Sequence, residues 1–437
     1  MLWRVCAAIA LSCGWVGLHA AELTASQYEH LKALYFHLHQ NPELSFKEER
    51  TAARLADELS ALGFDVTEHF GGTGVVAVLA NGAGPTVLIR ADMDALPVKE
   101  RTGLEYASTV VGTSIDGQEQ PVMHACGHDV HMTVLIGTAS KLAELRDQWR
   151  GTLIMIAQPA EERGAGASAM PAAGLFTKFP RPDFNLALHV SAGLPAGKVG
   201  YAAGPALANV DSIDITVHGV GGHGAYPHRV RDPIVLSAQI ITAMQTIVSR
   251  ELSPLEPAVL SVGSIHGGLK HNVIPDVVKL QLTLRSYTSE VRLQMIEAIK
   301  RITKNLALAA GMPADKMPEV AVKDEYTPVA FNDPDLTNRI AKVFSAEIGA
   351  DNVIEISPVM GGEDFGRYGQ EIPKIPSLIF WLGAVEREQY AASHNGGKAL
   401  PSLHSAYFAP EYEPTIRTGV SVMTAAGLEL LATRNDD

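Results

Sequence analysis

The hydrophobic pattern changes character partway along this chain, and that change limits what it can fold into. In the outer parts, short β-rich runs at 75–79, 86–89, 153–157 and 186–190 alternate with helical stretches, one of them across 132–145. Ser45-Phe46-Lys47-Glu48 has the spacing of a capping box, in which the serine and glutamate side chains satisfy free amides at a helix start. The helix it would open carries Leu55, Leu59 and Leu62 on one side and ends at Gly63. Such alternation predicts an α/β fold with a central mixed sheet flanked by helices.

Between about 207 and 320 the pattern is different. Ile213, Ile215 and Val217 alternate with polar residues, and Leu280, Leu282 and Leu284 do the same within 278–285. Alternation marks strands with one wet face. Residues 233–249 read as a helix, and Ser289 is expected to cap a second one running to Gly311. Two helices on a half-exposed antiparallel sheet make an α+β module, inserted here into the α/β one. The outer pattern then resumes with a helix from about Asp335, a strand at 378–382 and a closing helix after Tyr412. The expected divisions are 22–206, 207–320 and 321–437, with the first and last folding together. A length of 437 residues also suggests two domains.

The formal net charge is −13 with no offsetting Lys/Arg cluster, which argues against nucleic acid or an anionic membrane as a partner. At the start, Met1-Leu2-Trp3-Arg4 is a short positive region, an apolar stretch too short to span a bilayer runs to Leu18, and Ala20-Ala21 offers a cleavage site. The site is imperfect, because Leu18 or His19 fills the upstream small-residue position. A lipoprotein signal with Cys13 as the acceptor is the alternative, but its leading leucine is missing. Residues 1–21 are therefore expected to be a signal peptide and the product to be soluble, in the periplasm or secreted. Cleavage removes Cys6 and Cys13 and leaves Cys126 alone. An exported lone thiol cannot form an internal disulfide and is open to oxidation unless something holds it. Two residues from His128, a metal ion would hold it.

Polar chemistry gathers where the outer strands end. Leu88-Ile89-Arg90-Ala91-Asp92-Met93-Asp94 ends one run in two acids, Ile156-Ala157-Gln158-Pro159-Ala160-Glu161-Glu162 ends another in two, and Leu186-Ala187-Leu188-His189 ends a third in a histidine. In open α/β sheets ligands bind at that edge. One such ending is weak evidence, but three together with Cys126 and His128 make a site.

These runs, with the stretch from Met123 to His131, occur in order with three more: Gly221-Gly222-His223-Gly224-Ala225-Tyr226-Pro227-His228, His271-Asn272-Val273-Ile274-Pro275-Asp276 and Met360-Gly361-Gly362-Glu363-Asp364-Phe365. The set closely resembles the M20 metallopeptidase family, above all its amidohydrolase branch of hippurate hydrolases, N-acyl-amino-acid amidohydrolases and auxin-conjugate hydrolases. The resemblance covers nearly the whole chain after the signal. It implies a catalytic domain with a two-metal centre, built from 22–206 and 321–437, and a lid domain at 207–320 through which subunits form a homodimer. The ligands it implies are Cys126, His128, Glu162, His189 and His404, with Cys126 as the bridge and with Asp92 and Asp94 as supports. Thiolate, imidazole and carboxylate together suit a divalent Zn, Mn, Ni or Co ion. Glu161 is implied as the general base and Glu162 as a ligand, in keeping with neighbours on an extended backbone pointing apart. His223 is implied to reach a neighbouring subunit's site and stabilise the oxyanion. Asn272 and Arg285 are expected to bind substrate, the guanidinium holding a free carboxylate through two parallel hydrogen bonds.

Each residue also has a plainer reading. Taken alone, His404 is a surface loop histidine, His189 a packed core residue, His223 a turn histidine, Arg285 a solvated cation and Glu161-Glu162 two solvated acids. His131 reads as structural, and His37 and His39 as surface or helix-packing residues. Glu363 is as well placed to start a helix as to touch a ligand, and is left out of the expected site. The function implied is hydrolysis of the amide of N-acyl or N-aroyl amino acids to a carboxylic acid and a free amino acid. Alternatives are a metallocarboxypeptidase or dipeptidase acting on short peptides or amino-acid conjugates and, in another class, a non-catalytic periplasmic binding protein. A binder has no need of Glu161.

Overall fold

The computed structural model describes residues 22–432, so the expected signal peptide at 1–21 lies outside the described residues. The largest sheet is mixed and eight-stranded. Its order is Asp65–Thr67, Val75–Asn81, Gly151–Gln158, Thr86–Asp92, Phe184–Pro195, Ser377–Val385, Val199–Tyr201 and Val353–Glu355. Gly151–Gln158, Thr86–Asp92, Phe184–Pro195 and Ser377–Val385 run parallel, which brings their carboxyl ends to one edge. Successive residues of a strand point to opposite faces, and both faces here are covered. Val87 and Ile89 therefore pack with the helices Ala25–Gln40, His128–Glu144 and Tyr412–Leu431, while Leu88 packs on the other side with Phe365 and Tyr368. Burial on both sides is why these strands read as continuous apolar runs.

A separate four-stranded antiparallel sheet has the order Ala258–Gly267, Val277–Ser286, Asn209–His218 and Glu319–Val322. Ile213, Ile215 and Val217, with Leu280, Leu282 and Leu284, form one core with the helices Pro233–Thr246 and Ser289–Ala309, and the intervening residues are wetter. The alternation in the sequence is this single buried face. Ala258–Gly267 is an edge strand with Ile265 51% exposed. Among the described residues no helix is long and apolar enough to cross a membrane.

Several local expectations are corrected. Ser45 and Glu48 form no capping box: the helix Glu49–Ala61 starts without a side-chain cap, and both side chains turn inward to other partners. Thr288, not Ser289, caps Ser289–Ala309, its extended backbone letting Oγ1 accept from the Val291 amide at 3.2 Å. The helix read over 132–145 begins earlier, at His128, because Gly127 makes the turn with φ 81° in a space where a Cβ would lie 2.5 Å from Val190. The strand read over 186–190 is longer, Phe184–Pro195.

Candidate active site

Beyond Gly151–Gln158 the chain turns sharply. Ala160 takes a left-handed φ of 50°, and Glu161–Arg163 form one 3-10 turn instead of the extended backbone expected there. Rotation of roughly 120° per residue in such a turn, rather than strand alternation, separates the two glutamates. The Asp94 carboxylate accepts from the Glu161 and Glu162 amides, both at 3.1 Å, which makes Asp94 a backbone support for this turn.

Three imidazoles converge on the same place. Cys126 Sγ lies 3.5 Å from His189 Nε2 and 3.2 Å from His404 Nε2. Glu162 Oε1 lies 3.5 Å from His404 Nε2 and 3.8 Å from His128 Nε2. The second nitrogen of two rings is already committed, His128 Nδ1 donating to the Asp94 carbonyl and His189 Nδ1 to the Val190 carbonyl, each at 2.8 Å. These bonds set the tautomers and turn the Nε2 lone pairs into the site. His404 sits in a left-handed conformation, φ 64°, with its amide donating to the Ala125 carbonyl at 2.9 Å. His131 is different, since Nδ1 bonds Asp92 at 2.6 Å while Nε2 accepts from the Val190 amide at 2.9 Å. With both nitrogens used, His131 positions Asp92 and the strand. His37 is exposed, whereas His39 is buried between Asp129 at 2.6 Å and Glu100 at 3.2 Å.

The donor set fits divalent cations. Cys126, His128 and His189 present donor atoms within 4.8 Å of one another, and so do Cys126, Glu162 and His404, the two groups sharing the thiol. His128 Nε2 and Glu162 Oε1 are buried with no hydrogen-bond partner, which is costly unless something else pairs with them. Burial, then the charges of Glu162 and Glu161, pushes the Cys126 thiol well up. Burial, then Glu363 and Glu162, does the same to Glu161. Glu162 is lifted to about 8, mainly by burial, with Asp94 and Asp92 adding to it and His128 opposing. A cluster of acids and a thiol that resist ionising together is what bound cations would relieve. Replacing Cys126 with Ser should therefore speed metal loss to a chelator by roughly tenfold or more, since a hydroxyl seldom ionises near neutrality. Unchanged metal content and activity in that variant would remove Cys126 from the centre.

A cavity of about 460 Å³ opens over this cluster and is lined by Glu161, Glu162, His189 and His404 together with Arg285 and Glu363. Gly362 backs its wall, where a Cβ would meet Val210 at 2.2 Å and Arg285 at 3.2 Å. Only glycine lets the backbone approach there. Glu363 belongs to this site although the sequence reading left it out. It does precede a short helix, accepting from the Phe365 amide at 2.9 Å, but its carboxylate also receives Arg90 Nη2 at 2.9 Å. Arg90 is fully buried and further donates to Asp92 at 2.8 Å, Gln158 at 3.0 Å and Asp364 at 3.2 Å. The available signal was Arg90 itself, a cation inside the apolar run 86–92 that must find acids. His223 and Asn272 lie together but elsewhere: Gly222–His223 pairs with Val273–Ile274, and the Gly224 amide donates to the Asn272 carbonyl at 2.9 Å. Both are exposed, and neither lines this cavity.

The chain is similar to known proteins in sequence and in fold. Thermostable carboxypeptidase 2 of Saccharolobus solfataricus is 39% identical over 350 residues, covering 79% of this chain and 84% of that protein. N-acetyl-L-cysteine deacetylase of Bacillus subtilis is 39% identical over 339 residues, 77% of each chain. The crystal structure of the Bacillus subtilis YXEP protein, a dinuclear metal binding peptidase from the M20 family, superposes with a TM-score of 0.75 at 28% identity, covering 93% of this chain and 99% of that one. The sequence profile of Peptidase family M20/M25/M40 matches residues 88–406. That segment begins in the strand that carries Asp92 and ends two residues past His404, so it contains the whole converging cluster, and the chain belongs to this family of metal-dependent hydrolases.

Proposed function

We propose that this enzyme hydrolyses the amide bond of N-acyl or N-aroyl amino acids, releasing a carboxylic acid and a free amino acid. The observation that carries the reading is Arg285 on the wall of the same cavity as Glu161, Glu162, Cys126, His189 and His404. A guanidinium there can hold a substrate's free α-carboxylate through two parallel hydrogen bonds while the amide lies over the cluster. Cys126, His128, Glu162, His189 and His404 would hold two divalent ions, Zn, Mn, Ni or Co, which would polarise the amide carbonyl and make water a better nucleophile. Glu161, its proton affinity raised by burial, takes the proton from the attacking water and returns it to the leaving nitrogen. The relative named N-acetyl-L-cysteine deacetylase supports this reading.

A second reading, cleavage of short peptides, is favoured by the relative named a carboxypeptidase and by Glu325. Glu325 lines the cavity while its neighbour Lys323 pairs with Asp214 at 2.6 Å, so Glu325 can meet the ammonium of an aminoacyl group. Arg285→Ala tests what the readings share. It should raise KM for N-acyl amino acids far more than for the corresponding amino-acid amides, because only the former present a carboxylate. Equal effects on both would make Arg285 structural, and the same panel extended to dipeptides decides between the readings.

The exposure of His223 and Asn272 fits a homodimer in which each chain completes its partner's site. Val220, Ile234, Val235, Ile265, Leu269 and Val273, all in the segment between 207 and 320, are exposed apolar residues, and Ala258–Gly267 has a free edge. A second copy covering them would bury both the edge and the apolar side chains. In that assembly His223 donates to the oxyanion across the boundary, and Asn272 contacts substrate. Export to the periplasm through the leader at 1–21 is part of the same proposal.

A further inference from the structure

The segment that looked like a capping box has another use. Phe46 takes a left-handed φ of 59°, and the tight turn it makes points Ser45 and Glu48 to the inside of the protein. Ser45 Oγ donates to Asp94 at 2.6 Å. Glu48 is completely buried, Oε1 accepting from the Ala160 amide at 2.9 Å and Oε2 from the Thr73 hydroxyl at 2.5 Å. Three successive amides, those of Ala160, Glu161 and Glu162, thus end on just two carboxylates, Glu48 and Asp94. The helix Glu49–Ala61 meanwhile goes without the side-chain cap that Glu48 could have taken part in.

We propose that Glu48 is a positioning residue for the glutamate turn, acting through the backbone of Ala160 and not through substrate. Ala160 is held in a left-handed conformation that an L-residue with a Cβ resists, and it persists only where the surroundings over-determine it. Its carbonyl is held too, accepting from the Ala165 and Gly166 amides at 3.2 Å each. Removing the Glu48 acceptor leaves a buried amide unpaired and frees Ala160 to relax toward an ordinary conformation. Because Ala160 directly precedes the turn, its relaxation swings Glu161 and Glu162 together. A displacement of about 1 Å at a catalytic group is enough to cost on the order of 10²-fold in rate. Keeping an acid buried beside Asp94 is itself unfavourable, and burial followed by that neighbouring charge lifts Glu48 to about 7. A residue that served only to start a helix would not need such a place.

The inference rests on Glu161 and Glu162 being base and ligand, and its test is separable from theirs. Glu48→Gln keeps an acceptor for Ala160 and a polar group for Thr73, and should retain kcat within about threefold. Glu48→Leu keeps the bulk but no acceptor, and should lose roughly 10–100-fold in kcat with a smaller change in KM. The discriminating variant is Glu48→Leu combined with Ala160→Gly, because glycine takes the left-handed conformation without strain. It should recover about fivefold or more of the lost kcat while its melting temperature stays at or below that of the single variant. Should Glu48→Leu fail to fold, Glu48→Asp, whose carboxylate falls short of Ala160, takes its place in the same pair. Undiminished kcat in Glu48→Leu, or no recovery on adding Ala160→Gly to a folded single variant, would reduce Glu48 to core packing. If Glu161→Gln were itself fully active, the failure would lie in the roles assigned to the turn.

Discussion

Glu161→Gln keeps its metals and its fold and loses roughly 10²–10⁴-fold in kcat, the usual weight of a positioned acid and base. The substitution is nearly isosteric, and the bonds that hold the turn go to the backbone amides of residues 160–162, not to the Glu161 side chain. What disappears is the ability to take up a proton. Glu162→Gln should behave differently, because Glu162 Oε1 is the buried, unpartnered oxygen facing His404 and His128. That variant should lose metal first and activity as a consequence. Metal analysis beside steady-state kinetics on both variants reads the difference. The reverse pattern, metal lost from the Glu161 variant and retained in the Glu162 variant, would exchange the two roles.

His223→Ala and Glu161→Gln chains, each inactive alone, should regain turnover when mixed under conditions that exchange subunits. In a heterodimer one of the two sites receives both an intact Glu161 and an intact His223, so activity should rise from near background toward one working site per heterodimer. The expectation comes from the family resemblance, and the position of His223 is compatible with it: the residue is exposed on the small ribbon with Val273–Ile274 and does not line the cavity that holds Glu161. Exchange demonstrated by tagged subunits with no recovered turnover would mean that His223 serves its own chain's site or none.

The parts of the site that could be read from sequence were those whose chemistry is local. Cys126 and His128 stand two residues apart at a helix start, and Glu161 and Glu162 follow directly on an apolar strand. The Ser45–Glu48 spacing was just as local and misled, because a capping box and an inward-facing pair have the same letters. Glu363 was set aside for the opposite reason. Its partner Arg90 lies 273 residues away, so a cation in an apolar run signals that it needs acids without saying which ones.

The sequence by itself determined the two kinds of sheet, since burial on two faces demands continuous apolar strands and burial on one demands alternation. It also determined which residue types could bind metal. Tertiary structure alone decided how they are aimed. Hydrogen bonds from His128 and His189 to backbone carbonyls select the nitrogen each ring offers, and Asp94 and Glu48 hold the turn that separates the two glutamates. Of the residues between 207 and 320 expected to meet substrate, the fold brings Arg285 to the cavity and leaves His223 and Asn272 outside it. Periodicity reports which side of an element is buried. Which distant groups meet depends on how strands are ordered and loops return, and that is settled only when the whole core packs.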